Sequence, residues 1–544
     1  MSKKENWGTR VGLVLAMAGN AVGLGNFLRF PAQAAQNGGG AFLIPYLISF
    51  LLMGIPLLWV EWAIGRHGGR FGHHSAPGML DRLGRKPWLK YLGVFGIFTN
   101  LTVAAYYCYI ESWALAWVVH SIKGTFAVTQ PTDFFPAYVN ANAAHFSLPP
   151  FEASMYFVAT LLLNTWILSR GLAKGIEVVA KIGMPLLLLF GGVLVVRGLL
   201  LTTADPGVVQ SPLEGMNFVW NPDLSGLSNP STWLAAAGQI FFTLSVGMGS
   251  IHCYASYVRQ KQDIALNAAA AGWMNEWVEV VLGGSLLIPI ATAYLGLQAV
   301  QAQTAGGSGF GLAFLSLPTL FANWGWFATV AGAMWFGLLF VAGITSSLAM
   351  GRPVMAFFED EFGLARSRAA VIFGCATFLL GGFTVWLFRG GAHGEFDFWS
   401  GTFALVVFAL GESFVFAWVF GMKNGWEEIT RHADMKVPII FRYVIQYVTP
   451  LFILTIFVAA LIQPAGEWGA AFTSLYSGQG WPLAPSSVIG KVLHVGENYV
   501  WFDEHGRATA ALVQDVTRLL LTLVFATSAG LVWYAWRRKE RRAA

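Results

Sequence analysis

The chain has 544 residues, of which 56% are hydrophobic and only 11% carry a charge. A soluble domain carries about 25% charged residues, so this composition excludes a protein whose whole surface faces water. The net charge of +5 does not indicate a nucleic-acid partner, because the basic residues lie in short loops between apolar stretches.

Apolar stretches of about 20 residues or more, long enough to cross a bilayer, recur along the whole chain. Twelve are recognised, at residues 9–37, 40–66, 90–120, 151–169, 174–198, 231–258, 265–297, 326–357, 368–389, 400–421, 440–462 and 512–537. The sequence lacks the short alternating segments that are typical of membrane strands. The pattern therefore predicts an all-α polytopic membrane protein that has the lipid bilayer as its solvent.

Lysine and arginine residues fall on alternate connections between these stretches. The connection after the second stretch contains Arg70, Arg82 and Lys86, whereas residues 298–323 contain no basic residue. By the positive-inside rule both termini are predicted to be cytoplasmic, which agrees with an even number of spans. We therefore expect a multi-pass protein of the bacterial inner membrane.

The first and the sixth stretch contain glycine clusters at mid-membrane depth. Gly19, Gly23 and Gly25 interrupt the first, and Gly247 and Gly249 interrupt the sixth. Each glycine costs a helix interior about 1 kcal/mol relative to alanine. Unwound backbone at this depth must line a polar cavity, where its amides can hold an anion and its carbonyls a cation. Close packing of helices through small residues is the alternative explanation.

The positions of the two clusters are equivalent if spans 1–5 and 6–10 form inverted repeats. Paired, glycine-interrupted spans are typical of secondary transporters that bind their substrate near the bilayer midplane. The predicted repeats cover residues 9–198 and 231–421 of a single transporter domain, 1–544. Residues 440–544 would add two accessory helices and a long external loop at about 463–510.

Several motifs resemble those of the neurotransmitter:sodium symporters. They lie at residues 7–31, 37–42, 106–113, 174–177, 238–245, 254–257, 275–276 and 342–347, in the order found in that family. The resemblance implies a LeuT-like fold of twelve transmembrane helices, with a five-plus-five inverted repeat and broken helices 1 and 6. It also implies sodium-coupled symport of a neutral amino acid by alternating access.

The resemblance further implies two sodium sites and no organic cofactor. The first site would consist of the Ala21 carbonyl and the side chains of Asn26, Thr243 and Asn275, completed by the substrate carboxylate. The second would consist of the carbonyls of Gly19, Val22 and Ala342 and the hydroxyl groups of Thr345 and Ser346. Neutral oxygens suit a hard cation that must also leave. A substrate carboxylate about 4 Å from the ion would contribute about 4 kcal/mol before desolvation, at an effective dielectric near 20.

The substrate pocket implied by the same resemblance is polar at one end and apolar at the other. Its residues would be Asn20, Ala21, Gly23, Leu24, Gly25, Val103, Tyr107, Phe242, Thr243, Ser245, Met248, Ser346 and Met350. By the same resemblance, Met248 and Met350 stand where a bacterial amino-acid transporter of that family has a phenylalanine and an isoleucine. Because methionine is flexible, we expect bulky aliphatic or aromatic amino acids to be accepted. The alternative is that the two methionines only repack a leucine-sized pocket.

Two gates are implied as well, one on each side of this pocket. Arg29 and Asp397 would form the outer charged pair, above Tyr107 and Phe242 as an aromatic lid. The inner gate would consist of Lys4, Trp7, Ser256, Tyr257 and Asp360. The family usually has an arginine where this chain has Lys4, and lysine lacks the bidentate fork of arginine, so a weaker inner latch is expected.

Glu279 lies one helical turn after Asn275, next to the first implied sodium site. An ionisable side chain inside the membrane is a candidate for function. Chloride-dependent relatives have a small polar residue at this position, and a chloride ion supplies the negative charge. Glu279 would replace that ion, so we expect chloride independence, with proton countertransport as a further option. A neutral, hydrogen-bonded structural glutamate is the alternative.

Two other classes share this fold: a sodium-conducting channel and an amino-acid sensor that does not transport. A channel would require a continuous polar pore, and a sensor a soluble signalling domain or missing gate residues; neither pattern is found. The sequence also lacks a nucleophile–base pair, an HExxH motif and a P-loop, so no enzyme is expected. It leaves open the preferred amino acid, the sodium stoichiometry and the oligomeric state.

Overall fold

The structure of the protein, a computed structural model, describes residues 5–84, 86–141, 150–304, 309–496 and 499–543. Within these ranges the regular structure is helical, apart from two isolated β-bridges, Pro464 with Leu483 and Phe502 with Ala508. Among the described residues, ten helices are long and apolar enough to cross a membrane, and a bent pair of shorter helices makes an eleventh candidate. The predicted all-α polytopic class is confirmed at this level of ten or eleven candidate spans.

We number the helices in chain order. The first ten are α1 (Arg10–Ala21), α2 (Leu24–Gln36), α3 (Gly40–Arg70), α4 (Ala76–Gly84), α5 (Leu89–Ile122), α6 (Pro131–Tyr138), α7 (Phe151–Ser169), α8 (Leu172–Leu199), α9 (Pro212–Trp220) and α10 (Pro230–Leu244). The others are α11 (Ser250–Ser256), α12 (Ala265–Leu295), α13 (Leu297–Thr304), α14 (Gly311–Phe362), α15 (Arg366–Trp386), α16 (Ala392–Thr430), α17 (Ile440–Leu461), α18 (Trp468–Tyr476), α19 (Val488–Leu493) and α20 (Ala510–Ala543).

The first predicted span is interrupted between α1 and α2, whose axes differ by 46°. The side chain of Thr9 caps the start of α1 by accepting from the Gly12 amide, and Val22 ends it in an extended conformation. A Cβ atom on Gly23 would lie 2.6 Å from the Tyr107 hydroxyl oxygen and 2.8 Å from Ser346 Oγ. Glycine is therefore required here, because the side chains of two neighbouring helices approach the unwound backbone too closely for a Cβ atom.

The sixth predicted span is interrupted between α10 and α11. Ser245, Gly247 and Gly249 have φ values of 54°, 72° and 90°, so the connecting backbone is left-handed at three of its five positions. A Cβ atom on Gly247 would also collide with the Leu405 carbonyl oxygen. Glycine is the residue that adopts this conformation at little cost, and the cluster thus determines where the helix stops.

The helices near the two breaks form the buried centre of the molecule, and later helices lie at its edge. The most apolar windows of α5 and α12 are both 89% buried, whereas those of α17 and α20 are 33% and 22% buried. Apolar side chains on the exposed faces of α17 and α20 need lipid as their solvent. The two helix breaks therefore lie in a buried protein core, and the helices at its edge bury less of their surface against the rest of the protein.

Some helices extend further than hydropathy predicts. The span predicted at 326–357 belongs to α14, which begins at Gly311 and bends at Gly325, where φ is 60° and ψ is −129°. The span predicted at 400–421 belongs to α16, which runs beyond both of those limits. Hydropathy indicates the length inside hydrocarbon, whereas helical hydrogen bonding continues into the interface. The segment at 463–510 contains α18 and α19 and both β-bridges.

Candidate functional site

The two interrupted spans meet at a small enclosed cavity. It is lined by Asn20, Ala21, Gly23, Gly25, Asn26, Val103, Tyr107, Phe242, Thr243, Ser245, Met248, Ser346 and Met350. These are the residues of the predicted substrate pocket with one exchange: Asn26 contributes to the wall, and Leu24 lines the neighbouring outer cavity instead. The structure thus brings together side chains from four separate regions of the chain.

Unwound backbone and hydroxyl groups form the polar end of the cavity. The Leu24 amide donates to the Tyr107 hydroxyl oxygen at 2.9 Å, and the Gly23 amide donates to Asn26 Oδ1 at 2.8 Å. Ser245 Oγ donates to the Asn20 carbonyl at 3.1 Å, which ties the second break to the first. Amide donors and carbonyl acceptors are therefore concentrated within one small volume, as zwitterion binding requires.

The three side chains of the first predicted sodium site lie within hydrogen-bonding distance of one another. Asn26 Nδ2 lies 3.2 Å from Thr243 Oγ1 and 2.9 Å from Asn275 Oδ1. Asn275 Nδ2 lies 3.0 Å from Thr243 Oγ1. The side-chain oxygens are neutral and all three residues are buried, which fits a sodium ion that receives its counter-charge from a ligand or a nearby acid.

Glu279 is fully buried beside these three residues. Its carboxylate accepts from Asn26 Nδ2 at 3.0 Å and from Gln239 Nε2 at 2.6 Å, and it also contacts the Thr243 hydroxyl. The acid therefore contacts two of the predicted sodium ligands directly. This position supports the prediction that the negative charge of Glu279 acts on the first sodium site.

Sequence reasoning missed two polar residues at this position. Gln239 orients the Glu279 carboxylate, and Glu276, next to Asn275, is a second buried acid. Gln239 lies four residues before Thr243 on α10, so an i, i+4 search of that helix face would have found it. Glu276 belongs to one of the matching motifs, and its acid side chain within an apolar span was the available signal.

The residues of the second predicted sodium site meet where α14 passes the break after α1. Ser346 Oγ lies 3.2 Å from the Gly19 carbonyl oxygen and 3.5 Å from that of Val22. Thr345 Oγ1 lies 3.1 Å from the Ala342 carbonyl oxygen. Three carbonyls and two hydroxyl groups are thus concentrated without a charged side chain among them, a donor set suited to a hard monovalent cation.

An outer cavity lies directly above the pocket and shares Gly25, Tyr107 and Phe242 with it. Arg29 and Asp397 both line this cavity, but the structure pairs them with other groups. The Arg29 guanidinium lies 4.6 Å from the centre of the Phe242 ring, and Asp397 Oδ1 accepts from the Tyr106 hydroxyl at 2.7 Å. The predicted outer pair is therefore separated here, which leaves the cavity open above the aromatic lid.

On the opposite side of the pocket, the described residues of the predicted inner gate are held by contacts with Tyr254 and His74. Trp7 Nε1 donates to the Tyr254 carbonyl at 3.0 Å, which fixes the start of the chain against α11. His74, which was not predicted, connects the others: its amide donates to Asp360 at 2.6 Å, its Nδ1 lies 2.7 Å from Ser256 Oγ, and its ring stacks on Tyr257 at 4.1 Å. The predicted Lys4 lies outside the described residues.

A charged cluster lies next to the predicted inner gate. Arg352 is 1% exposed and makes a bidentate pair with Glu359 at 2.8 and 2.9 Å. It also lies 3.3 Å from Glu5, which pairs with Arg366 at 2.6 Å. The sequence analysis missed this cluster, because Arg352 and Glu5 are far apart in the chain and no local pattern links them. A basic residue within the apolar stretch 326–357 was the signal available.

Comparison with known proteins gives concordant matches. A sequence model described as the Sodium:neurotransmitter symporter family matches residues 4–144 and 127–497. The solved structure of MhsT in complex with L-phenylalanine is similar, with a TM-score of 0.72, 28% identity, and coverage of 84% of this chain and 100% of that chain.

Two curated relatives extend the comparison to full sequences. An uncharacterized sodium-dependent transporter of Methanocaldococcus jannaschii is 28% identical over 464 residues, covering 84% of this chain and 90% of the relative. Sodium-dependent nutrient amino acid transporter 1 of Drosophila willistoni is 24% identical over 561 residues, covering 93% of this chain and 85% of the relative. The residues matched by the family model include both interrupted spans.

Proposed function

The chain belongs to the sodium:neurotransmitter symporter family, as its motifs predicted, and on that premise we propose that it is a sodium-coupled symporter of neutral hydrophobic L-amino acids. One observation carries the proposal: amides, carbonyls and hydroxyl groups from both helix breaks converge on a cavity whose other end is apolar. A zwitterion fits the polar end, and a bulky aliphatic or aromatic side chain fits the other.

The apolar end of the cavity supports the substrate class. Val103, Phe242, Met248 and Met350 form it, and no charged side chain lines the cavity. A charged substrate would therefore leave its side-chain charge unpaired in a buried site, at a cost of several kcal/mol. The two flexible methionines can repack around side chains of different shape. The L-phenylalanine bound to MhsT and the amino-acid transporter of Drosophila agree with this class.

Coupling follows from the charges at the first ion site. The predicted ligands Asn26, Thr243 and Asn275 are neutral, so a substrate carboxylate would improve sodium binding and the ion would improve substrate binding by the same factor. Sodium entering with a zwitterion would also gain about 2.3 kcal/mol per charge for every 100 mV of membrane potential. We propose two sodium ions, one at each donor set described above.

Chloride independence is part of the proposal. The Glu279 carboxylate contacts Asn26, Gln239 and Thr243, the place where an anion would balance the first sodium ion. A fixed acid supplies that charge without a bound halide. Once sodium leaves, a buried carboxylate without its cation favours the protonated form, so a proton can return in exchange through Glu279.

Alternating access would use the two gates described above. The separated Arg29 and Asp397 and the closed cluster around Arg352 correspond to a molecule open to the outside and sealed to the cytoplasm. This assignment takes α10 and α11 as one broken span, which brings the total to twelve and leaves both termini cytoplasmic in a bacterial inner membrane.

Uptake by proteoliposomes that contain the full chain tests this function. We expect an inward sodium gradient to drive accumulation of leucine-like or aromatic amino acids, and no accumulation when potassium replaces external sodium. Thr243→Val removes a predicted sodium ligand and should lower uptake at limiting sodium. Thr232→Val, about three turns earlier on the same helix, is the matched control. Absence of sodium-driven uptake for every neutral amino acid would contradict the proposal.

A further inference from the structure

A second group of buried ionisable side chains lies outside the substrate pocket and both ion sites. Glu61 from α3, His252 from α11 and Glu412 from α16 are each fully buried. His252 Nε2 lies 3.2 Å from Glu412 Oε2, and His252 Nδ1 lies 3.8 Å from Glu61 Oε2. The imidazole is therefore placed between two carboxyl groups, with one facing each ring nitrogen.

Five of the six side-chain polar atoms of this group are not satisfied by other parts of the protein. Both ring nitrogens of His252, both carboxyl oxygens of Glu412 and Oε2 of Glu61 are buried without a formed hydrogen bond. Two ionised carboxylates this close in a buried site would repel each other and would lack water to solvate them. The group therefore needs at least one proton in addition to the one on a neutral imidazole, because that proton reduces the negative charge of the two carboxylates.

We propose that Glu61, His252 and Glu412 form a proton-binding triad, whose proton occupancy is linked to the conformation of the substrate pocket. An imidazolium with one carboxylate and one carboxylic acid is neutral overall. A neutral imidazole with two carboxylic acids carries the same number of protons and is also neutral. Loss of one proton from either form leaves a single net negative charge, so this step is the one expected to titrate.

The arrangement of the donors favours a proton over a metal ion. A zinc ion would take one imidazole nitrogen and oxygens of both carboxylates, each at about 2.0–2.2 Å from a single point. Here the two carboxyl groups face different nitrogens of the His252 ring. One imidazole can donate N–H to both carboxyl groups at once only when it is protonated at both positions.

One hydrogen bond links the triad to the pocket. Glu61 Oε1 accepts from the Gly247 amide at 2.6 Å, within the left-handed segment between α10 and α11. The next residue, Met248, lines the pocket. A carboxylate is a stronger acceptor than a carboxylic acid, so protonation of Glu61 would weaken its hold on this segment. The linkage rests on the proposed function, because it takes this pocket as the substrate site.

Among the described residues, the main charged neighbours of each triad member are the other two members. Helix α5 presents Thr99 and Asn100, which are uncharged and bind the Met248 carbonyl. Further along α11, Arg352 and Asp360 of α14 face the inner-gate residues rather than the imidazole. Arg10, the titratable residue of α1, is ion-paired with Asp434 at 3.1 Å.

Infrared difference spectroscopy of the purified full chain, titrated with acid and base, tests the triad without any substrate. The carbonyl stretch of a protonated carboxyl group reports its occupancy directly. We expect Glu412→Gln to remove one titrating band, and His252→Gln to shift the midpoint of the remaining transition by about one pH unit or more. Glu111→Gln, which changes a fully buried acid outside the triad, is the matched control and should leave these bands in place.

Binding of labelled L-phenylalanine at saturating sodium tests the link to the pocket. Between about pH 5 and about pH 9 we expect the affinity of the unmodified protein to change about tenfold, and that of His252→Gln to change much less. Unaltered carboxyl bands in both triad variants would overturn the triad itself. Stoichiometric zinc that is retained on purification and lost in His252→Gln would overturn it in favour of a metal site. Absence of L-phenylalanine binding in every variant would count against the proposed substrate instead, while the infrared titration would still decide the triad.

Discussion

Tyr107 is the residue that joins the unwound backbone to the proposed substrate cavity. Its hydroxyl accepts the Leu24 amide at 2.9 Å and faces the cavity from α5. Tyr107→Phe leaves that buried amide unpaired and removes a donor that a substrate carboxylate can use. We expect the KM for the amino acid to rise about tenfold or more, with folding little changed.

Uptake kinetics in proteoliposomes, measured at saturating sodium, check this expectation. Tyr109→Phe is a suitable control, because Tyr109 lies on the same helix, is fully buried, and does not line the cavity. An equal rise in KM for both variants would show that the effect comes from loss of packing in α5 and not from the lost hydroxyl.

In the proposed function, Glu279 is the residue on which the ion requirement depends. Glu279→Ser removes the fixed charge and opens space beside Asn26 and Thr243 for an anion. We expect this variant to transport only when chloride is present, whereas the unmodified protein transports equally well in gluconate. Uptake of both proteins is measured in matched chloride and gluconate buffers. A Glu279→Ser protein that works fully without chloride, or an unmodified protein that fails without it, would contradict the assignment.

The break in the first span depends on a glycine that has no room for a side chain. In Gly23→Ala the new methyl group would press on the Tyr107 hydroxyl and on Ser346 Oγ, at 2.6 and 2.8 Å. Because both neighbours belong to the predicted pocket, we expect binding of amino acid and sodium to fall by at least about tenfold. Equilibrium binding of labelled amino acid and of sodium measures this.

Gly192→Ala provides the matched control for Gly23→Ala. It makes the same substitution inside α8, where the added Cβ would meet nothing within 4 Å. The exchange should leave binding unchanged and, by helix propensity, should not lower the melting temperature. Loss of binding in both variants would mean that any added methyl group disturbs the bundle, and the special role of Gly23 would be refuted.

The sequence predicted the elements that depend on short stretches of the chain. Glycine clusters at Gly23 and Gly247 indicated where backbone would unwind, and apolar length indicated the spans. The residues around the pocket were placed by resemblance to a family, residue by residue. His74, Gln239 and Arg352 were not found, because each acts through partners that only the packing of distant helices brings close. Helix ends outside the hydrocarbon, as in α14, have no hydropathy signal either.

The molecule as a whole is asymmetric across the membrane. On the outer side Arg29 and Asp397 are separated, whereas on the inner side Glu5 connects Arg352 with Arg366 at 3.3 and 2.6 Å. An ion pair of a buried guanidinium such as Arg352 is costly to break one partner at a time, because the remaining charge loses its partner. In the proposed alternating-access cycle, the cluster would therefore stabilise the closed inner side against opening.

Glu5→Gln should shift this balance toward an inward-open molecule. It removes one carboxylate from the cluster while Glu359 still pairs with Arg352, so the protein should fold normally. We expect a thiol placed at the inner gate by Ser256→Cys to react several-fold faster with a hydrophilic maleimide when Glu5→Gln is also present. The background carries Cys375→Ala, because Cys375 is exposed, while Cys108 and Cys253 are buried.

Thiol labelling on the outer side provides the control for that experiment. A thiol introduced by Gln33→Cys, which lines the outer cavity, should react more slowly in Glu5→Gln, because opening one side requires closing the other. Faster labelling on both sides would indicate general loosening of the protein and would refute the gate role of Glu5.

Helix α20 buries little of its surface against the rest of the protein: its most apolar window is only 22% buried. This has a practical consequence for purification. In a bilayer, acyl chains would solvate most of that window, so we expect extraction into detergent to exchange its solvent while the buried pocket keeps its packing. Removal of lipid should therefore detach the carboxyl-terminal helix α20 first. Phospholipid added back should restore its packing without altering ligand affinity.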